Sequence, residues 1–270
     1  MEPFKLEKAK NGVWYFSIPE FEKHGNVKTF FTTRVGGVSK EEFTSLNFGG
    51  YTRDLPENVK ENRRRVMEAV GIEGFTEAFV RQVHGDLVCC IQSRDILEEE
   101  TLTINNADGI TTNVENMLLL TLHADCLPLF FFDPVRRVAA VSHAGWRGTA
   151  KHIGPKTIRK MELEFGSRPE DIMTAVGPGI SLCCFEVGSE VYGAFQAVFP
   201  EIDTCAISMD NGKYKLDLKK INEIQLRKAG AGTVLVSGYC TMCREDLFFS
   251  HRRDNGKTGR MGAGIILTKG

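Results

Sequence analysis

The stretch Leu119–Gly148 joins strongly apolar segments to side chains that can do chemistry. His123, Asp125 and Cys126 separate two of the apolar segments, and His143 follows a third, just before a glycine-containing turn. A buried Asp, Cys or His costs several kcal/mol unless it is paired or bound to a metal. Strand ends that open into turns are also places where a rigid scaffold presents side chains to a ligand. The pattern therefore predicts a binding or catalytic site at these strand ends.

His84 has the same setting, because residues 80–86 read as a strand that ends in a His-Gly-Asp turn. Histidine nitrogen and thiolate sulfur are ligands that zinc prefers, and three protein ligands with an open fourth position are typical of a catalytic zinc site. His84, Cys126 and His143 would make such a set. Spacing alone does not choose between this set and one that uses His123, because scattered ligands are less diagnostic than paired Cys-x2-Cys knuckles.

Each of these residues also has a purely structural interpretation. A single His at a strand end is often a satisfied structural side chain, Cys126 can be a small buried hydrophobe, and Asp125 can cap a turn. Three strand-end sites of suitable chemical type in one sequence favour a functional site. A metal-free alternative is a hydrolase in which Cys126 is the nucleophile and His84 or His143 its base.

Short apolar and β-branched segments are interspersed with segments of helical period along the whole chain. The predicted strands are 27–33, 78–83, 87–91, 117–122, 127–132, 138–142, 233–237, 247–250 and 264–268. The predicted helices start at 54–57 and end at Gly71, run over 153–165, and cover 186–199 and 216–229. Because strands and helices do not alternate strictly, we expect an α/β fold of the α+β type, a layered sandwich of mixed β-sheets flanked by helices. No linker or repeat divides residues 1–270, which predicts a single domain.

Composition excludes several function classes. The 270 residues include 34 Lys and Arg against 35 Asp and Glu, a net charge of −1, which provides no general field for nucleic acid or an anionic membrane. The apolar tract 117–132 is interrupted by polar residues and is shorter than the roughly 20 residues of a bilayer-spanning helix. The first residues do not resemble a signal peptide. We therefore expect a cytoplasmic protein without nucleic-acid or membrane partners, and either a monomer or a homodimer.

Several blocks of the chain together resemble the signature of one family. QVHG stands at 82–85, ADCLP at 124–128 and HAGWRG at 143–148. Further blocks in the matching order are TTRVGGVS at 32–39, SLNFG at 45–49, GPGI at 177–180, CCFEV at 183–187 and FFSHRRD at 248–254. From about residue 27 to its end, the chain resembles the YfiH-like family, whose members are called multicopper polyphenol oxidases (laccases), purine nucleoside phosphorylases and peptidoglycan editing factors.

The resemblance implies a metal held by His84 of QVHG, Cys126 of ADC and His143 of HAGWRG, with His123 outside the set. It also implies a layered fold with mixed sheets between helices. The implied activities are phosphorolysis of adenosine, inosine and 5′-methylthioadenosine, adenosine deamination and, in some members, copper-dependent phenol oxidation. We expect Zn²⁺ at the site, where Cu²⁺ can also bind because the affinity for divalent ions peaks at copper.

The histidine count argues against a true multicopper oxidase, which needs a copper cluster built from many histidines. The chain has six, at positions 24, 84, 123, 143, 152 and 251. With two of them in the implied metal set, the remaining four are scattered and too few for a trinuclear cluster of the usual kind. Among the activities that the resemblance implies, zinc-dependent purine nucleoside phosphorolysis with adenosine deamination is therefore the expected one.

Purine chemistry also needs an acid or base and a phosphate site. Asp125 and Arg147 are predicted as catalytic residues, because Asp125 is the carboxylate nearest the ligands and Arg147 lies in the GWRG turn. Arg34, in a Gly-Gly turn, and Asn47, in SLNFG, are predicted to bind substrate, since a bidentate arginine suits phosphate. Surface or turn roles remain the alternative for each. The other functions left open are a copper-dependent polyphenol oxidase, a metal-free cysteine hydrolase and a peptidoglycan-precursor editing factor.

Two further features receive more modest predictions. Cys240 and Cys243 form a single Cys-x2-Cys with no second pair at knuckle spacing, so we expect reduced structural thiols. One of the adjacent Cys183 and Cys184, in a family block, can face the site. A basic cluster is expected to be a solvated loop or a phosphate contact. It consists of Arg252, Arg253, Lys257 and Arg260.

Overall fold

The computed structural model describes residues 2–92 and 101–269. Strands and helices follow one another irregularly along these residues. The strands are β1 (Lys5–Lys8), β2 (Trp14–Ser17), β3 (Val27–Thr32), β4 (Thr76–Arg81), β5 (Val88–Ile91), β6 (Thr101–Asn105), β7 (Gly109–Thr112), β8 (Met117–His123), β9 (Leu127–Asp133), β10 (Val138–Ala144), β11 (Met173–Val176), β12 (Glu186–Val187), β13 (Ala206–Ser208), β14 (Tyr214–Leu216), β15 (Thr233–Val236) and β16 (Met261–Leu267). The α-helices are α1 (Pro19–Glu22), α2 (Pro56–Val70), α3 (Trp146–Ala150), α4 (Ile153–Phe165), α5 (Ser189–Gln196) and α6 (Leu218–Lys228).

Two large sheets and one small sheet are formed by the described residues. The first sheet has the strand order β1-β2-β3-β16-β8-β4-β6, and the second has the order β15-β11-β9-β10-β7-β5. Both are mixed, since β4 runs parallel to β6 and β8, and β11 runs parallel to β15, among otherwise mostly antiparallel pairs. The small antiparallel sheet has the order β12-β14-β13.

The side chains of β9 show how the layers pack. Successive residues of a strand point to opposite faces of its sheet. Phe130 and Phe132 belong to the core that also contains residues of the first sheet, such as Leu119. Phe131 points to the other face and packs in a second core with residues of α4 and α6, such as Ile158. The two sheets therefore lie face to face beneath helices, and the predicted layered sandwich with mixed sheets is confirmed.

A third core completes the layers. Val66 of α2 packs with Phe30 of β3 and with Leu118 and Leu120 of β8. Helix α2 thus covers the outer face of the first sheet, as α4 and α6 cover the second. Among the described residues, no helix combines the length and apolarity that crossing a membrane requires.

The strand predicted over 247–250 is wrong. The N–H groups of Leu247 and Phe248 donate to the carbonyl of Arg244, at 3.1 and 2.9 Å, so the backbone turns here. The segment is apolar because its side chains enter the core between the sheets, where Phe248 and Phe249 are fully buried. Burial, and not strand pairing, explains its composition.

The helix predicted over 186–199 is also partly wrong. Glu186–Val187 forms β12, and the helix begins only at Ser189, after Gly188 in an extended conformation. A two-residue strand is too short to produce a recognisable period in the sequence.

Candidate functional site

The ends of three strands bring the predicted ligands together. Cys126 precedes β9, His143 lies near the end of β10 opposite Pro128 of β9, and His84 follows β4 in a turn. One nitrogen or sulfur atom from each of His84, Cys126 and His143 lies within 4.8 Å of the other two. The two histidine rings are nearly perpendicular, with centroids 4.8 Å apart. These three side chains can hold a metal ion.

Gly145 leaves room for an ion at this place. A Cβ atom at position 145 would lie 3.1 Å from the Sγ of Cys126, 3.2 Å from the Cδ2 of His84 and 3.8 Å from the Cε1 of His143. The absence of a side chain at Gly145 thus leaves space between the three ligands. Their nitrogen and sulfur donors suit a metal such as zinc, which can be held by three protein ligands.

Asp108 joins two of the three ligands and was not identified from the sequence. It is fully buried before β7, and its Oδ1 accepts a hydrogen bond from the Nδ1 of His143 at 2.9 Å. The same carboxylate accepts from the backbone N–H groups of Val83, His84 and Gly85, at 3.1, 3.0 and 2.6 Å. Because Nδ1 of His143 is occupied, its Nε2 is left for a metal, as in carboxylate–histidine–metal arrangements.

The charges in this cluster are strongly coupled. Burial raises the pKa of the Cys126 thiol, but the charge of His143 and hydrogen bonds from His143 and His84 outweigh burial and lower it to about 6. Burial lowers the pKa of His143, whereas the charge of Cys126 and the hydrogen bond to Asp108 raise it to about 9. Without a metal, both shifts therefore favour a charged pair, a Cys126 thiolate beside a His143 imidazolium.

His123 lies beside this cluster but has other partners. Its Nε2 accepts from the Oγ1 of Thr121 at 2.8 Å, and its Nδ1 donates to the carbonyl of Cys126 at 3.1 Å. Burial, followed by the charge of His143, holds its pKa well below the usual value, so the ring is neutral. Both ring nitrogens are thus occupied, and His123 helps to fix the backbone of Cys126.

The three ligands line a cavity of about 570 Å³, a volume typical of small-molecule sites. Its walls combine aromatic side chains with cationic ones. The aromatic residues are Tyr51, Phe79, Trp146 and Phe185, and the basic residues besides the ligands are Arg81, His251, Arg252 and Arg260. A flat, polar ligand with negative charge would be complementary to such walls.

Two of the cavity arginines lie over aromatic rings. The guanidinium of Arg81 lies 4.8 Å from the ring centroid of Tyr51, and that of Arg252 lies 5.6 Å from Phe185. Arg260 donates to backbone carbonyls at 2.8 and 3.0 Å, and burial lowers its pKa while the charge of Cys126 raises it. The sequence identified Arg252 and Arg260 only as part of a basic cluster, and no local pattern singled out Arg81.

Arg34 and Arg147 lie outside the cavity walls. Arg34 donates its Nε hydrogen to the carbonyl of Thr44 at 2.9 Å, and its guanidinium lies 4.9 Å from the ring centroid of Phe249. Arg147 is exposed, with its guanidinium 4.2 Å from the ring centroid of Trp146. Arg34 and Arg147 were predicted as site residues because they lie in glycine turns, but in the structure these turns orient both side chains toward other partners.

Asn47 is fully buried and is likewise not part of the cavity wall. Its Nδ2 donates to Thr52 and Asp54, both at 2.9 Å, and its Oδ1 accepts from the backbone N–H of Arg260 at 2.9 Å. Its contact with a cavity-lining residue is therefore made through the backbone of Arg260.

Asp125 lines the cavity, but its carboxylate oxygens already accept several hydrogen bonds. Oδ1 accepts from the hydroxyl of Thr241 at 2.7 Å, and Oδ2 accepts from the hydroxyl of Ser250 at 3.0 Å and the N–H of Arg252 at 2.7 Å. Its φ of 81°, like the 58° of His84, lies in the left-handed region that non-glycine residues rarely adopt. Such strained backbone is concentrated at functional sites.

Comparisons with known proteins identify the family of this chain. Residues 28–268 match the family described as multi-copper polyphenol oxidoreductase laccase. The chain is 39% identical over 236 residues to purine nucleoside phosphorylase YlmD of Bacillus subtilis (strain 168), covering 86% of this chain and 85% of that protein. It is 32% identical over 252 residues to purine nucleoside phosphorylase YfiH of Escherichia coli (strain K12), covering 93% and 98%.

The fold of a solved relative agrees as well. The crystal structure of YlmD from Geobacillus stearothermophilus matches with a TM-score of 0.89 and 33% identity, over 100% of both chains. The family match and these relatives confirm the resemblance found in the sequence blocks: this chain belongs to the YfiH-like family.

Proposed function

We propose that this protein is a zinc-dependent purine nucleoside phosphorylase. It would convert adenosine, inosine and 5′-methylthioadenosine to the free base and the corresponding sugar 1-phosphate. One observation supports this most: a single cavity joins a His/Cys ligand set to aromatic walls and to three arginines. The relatives in B. subtilis and E. coli are named purine nucleoside phosphorylases.

The ligand set suits zinc, with copper as a competing ion. Zinc bound by His84, Cys126 and His143 would supply a Lewis acid at the floor of the cavity. The protein would prepare the ligands for the ion. The lowered pKa of Cys126 favours its thiolate, and Asp108 keeps the proton of His143 on Nδ1. A copper-dependent polyphenol oxidase remains the less supported alternative, because the His84, Cys126 and His143 set can hold only one of the several copper ions that a multicopper oxidase needs.

The arginines of the wall are the proposed phosphate site. Phosphorolysis requires phosphate opposite the base, so that its oxygen bonds to C1′ as the glycosidic bond breaks and the electron pair leaves with the purine. The proposed phosphate ligands are Arg252 and Arg260. Arg260 stays charged although burial lowers its pKa, because guanidinium does not lose its proton in proteins. The aromatic walls, including Phe79 and Phe185, can hold the purine by stacking.

The remaining predicted residues have proposed positioning roles. Asp125 would anchor the segment that carries Arg252, and Asn47 the backbone of Arg260. A direct phosphate role for Arg34 or Arg147 has less support, since neither lines the cavity. Adenosine deamination is proposed only as a secondary activity. Deamination needs a carboxylate to act as acid and base, and both oxygens of Asp125, the carboxylate among the described cavity residues, already accept hydrogen bonds.

A second candidate, a metal-free cysteine hydrolase, is favoured by the thiolate–imidazolium pair of Cys126 and His143. The pair is equally suited to hold a metal, so the two functions require a direct test.

Arg260→Gln and Arg252→Gln should each lower phosphate-dependent release of hypoxanthine from inosine. A charge-assisted contact contributes roughly 1.5–3 kcal/mol, so losses of about ten- to a hundredfold in kcat/KM are expected. Arg159→Gln, on the exposed face of α4, is the matched control and should leave the rate unchanged. Steady-state assays over a range of phosphate concentrations would measure this.

Two results would contradict the assignment. Zinc-loaded protein that releases no base from adenosine or inosine with phosphate is not a phosphorylase. A loss in Arg34→Ala or Arg147→Ala, with Arg260→Gln and Arg252→Gln unaffected, would move the phosphate site to the glycine turns.

Asp108→Asn should weaken metal binding at the site, because the hydrogen bond that orients His143 loses its charge. Such changes cost about ten- to a hundredfold in metal affinity. The readout is the free zinc concentration that restores half-maximal base release to metal-depleted protein. Asp133→Asn is the control, since Asp133 is equally buried and accepts backbone hydrogen bonds at 2.8 and 2.9 Å away from the ligands. An unchanged zinc requirement in Asp108→Asn would show that this carboxylate does not position the ligand.

Alkylation separates a metal ligand from a nucleophile. We expect chelation to abolish base release and zinc to restore it, while iodoacetamide modifies Cys126 only in metal-depleted protein. Mass spectrometry of the alkylated peptide would identify the residue. Activity that survives chelation but is lost on alkylation of Cys126 would instead support the hydrolase.

A further inference from the structure

Four cysteine thiols meet at a second place, apart from the His84, Cys126 and His143 set. Cys183 and Cys184 lie before β12, and Cys240 and Cys243 lie in the turn after β15. The four Sγ atoms all lie within 4.8 Å of one another. The Sγ of Cys243 is 3.5 Å from that of Cys183 and 3.3 Å from that of Cys184. In the sequence, the Cys-x2-Cys of Cys240 and Cys243 has no second cysteine pair at knuckle spacing. The fold supplies one, because it brings Cys183 and Cys184 next to it.

Backbone contacts hold the two cysteine segments together independently of the thiols. Gly179 and Cys240 form a parallel β-bridge, and the N–H of Thr241 donates to the carbonyl of Gly179 at 3.2 Å. The N–H of Cys184 donates to the carbonyl of Ser181 at 2.9 Å, which turns the adjacent cysteines toward the other segment. The thiols are thus presented to one another by a formed scaffold.

The separations suit a single tetrahedral ion. With Zn–S bonds of about 2.3 Å, the sulfur atoms of a four-cysteine site lie about 3.8 Å apart. The two separations from Cys243, 3.5 and 3.3 Å, lie slightly below this value, and none of the four sulfur atoms is more than 4.8 Å from another. All four cysteines are free. Cys240 is buried whereas Cys183 and Cys243 are exposed, so an ion could enter from solvent.

A buried cation lies next to the cluster. Lys219 of α6 is 5% exposed, and its ammonium donates to the carbonyls of Ser237, at 2.9 Å, and Tyr239. Tyr239 immediately precedes Cys240 in the chain, so the ammonium lies beside the cysteine turn. Four thiolates around a divalent ion carry a net negative charge, which a buried ammonium would offset.

We propose that Cys183, Cys184, Cys240 and Cys243 form a second metal site, which binds a structural zinc ion. Four protein sulfurs leave no open position, as in structural and not catalytic zinc sites. The ion would join the loop that contributes Phe185 to the cavity to the turn whose Thr241 hydrogen-bonds Asp125. It would therefore fix one wall of the cavity from outside.

Metal analysis of the full chain, purified without an affinity tag under reducing conditions and loaded with zinc, tests this. Wild-type protein should hold about two zinc ions per chain, and the double variant Cys240→Ser/Cys243→Ser about one. The matched control is Cys89→Ser/Cys90→Ser, an adjacent pair of half-buried thiols on β5, which should keep both. His84→Ala should also keep one ion, so failure at either site is distinguishable from failure at the other.

A measurement on wild-type protein covers the case in which the double variant does not fold. Cys243 is exposed, yet bound zinc should slow its alkylation at least about tenfold relative to chelator-treated protein. Equal alkylation rates with and without zinc would overturn the proposal. So would a zinc content of about one ion per chain that His84→Ala abolishes, or iron with acid-labile sulfide in place of zinc.

Discussion

The arrangement of the candidate metal centre depends on the buried carboxylate of Asp108. This one group accepts the Nδ1 hydrogen of His143 and three consecutive N–H groups of the turn that presents His84. Burial raises the pKa of Asp108, but the hydrogen bonds from His143 and from the turn lower it more, so the group stays ionised. A charge buried in this way is stable only because its hydrogen bonds are satisfied. Two ligands from separate strands are therefore oriented by one side chain.

The two sheets explain why these ligands meet. Strands β9 and β10 are paired along their whole length, which places the residue before β9, Cys126, near the end of β10, where His143 lies. His123, at the end of β8 in the other sheet, then fixes the carbonyl of Cys126. Gly145 keeps the space between the ligands open, because any side chain at this position would enter it. The candidate metal centre and the cavity thus lie where both sheets end.

The sequence predicted the layered fold and a site at the strand ends, because apolar segments interrupted by His, Asp and Cys are a local signal. The family blocks then selected His84, Cys126 and His143. Asp108 and Arg81 escaped prediction because their roles come from neighbours distant in sequence, and nothing local distinguishes them from a turn aspartate or a surface arginine. The same applies to Cys183 and Cys243, which the fold brings together although they are 60 residues apart.

We propose that His84, Cys126 and His143 hold zinc, and that Asp108 orients His84 and His143. Anomalous diffraction at the zinc edge, from crystals of zinc-loaded protein, tests it most directly. We expect a peak about 2.0–2.3 Å from the Sγ of Cys126 and from one nitrogen of each histidine. Asp108 should remain within hydrogen-bond distance of Nδ1 of His143. A loaded crystal with no peak among these three residues, or with Asp108 or His123 as a ligand in place of one of them, would contradict it.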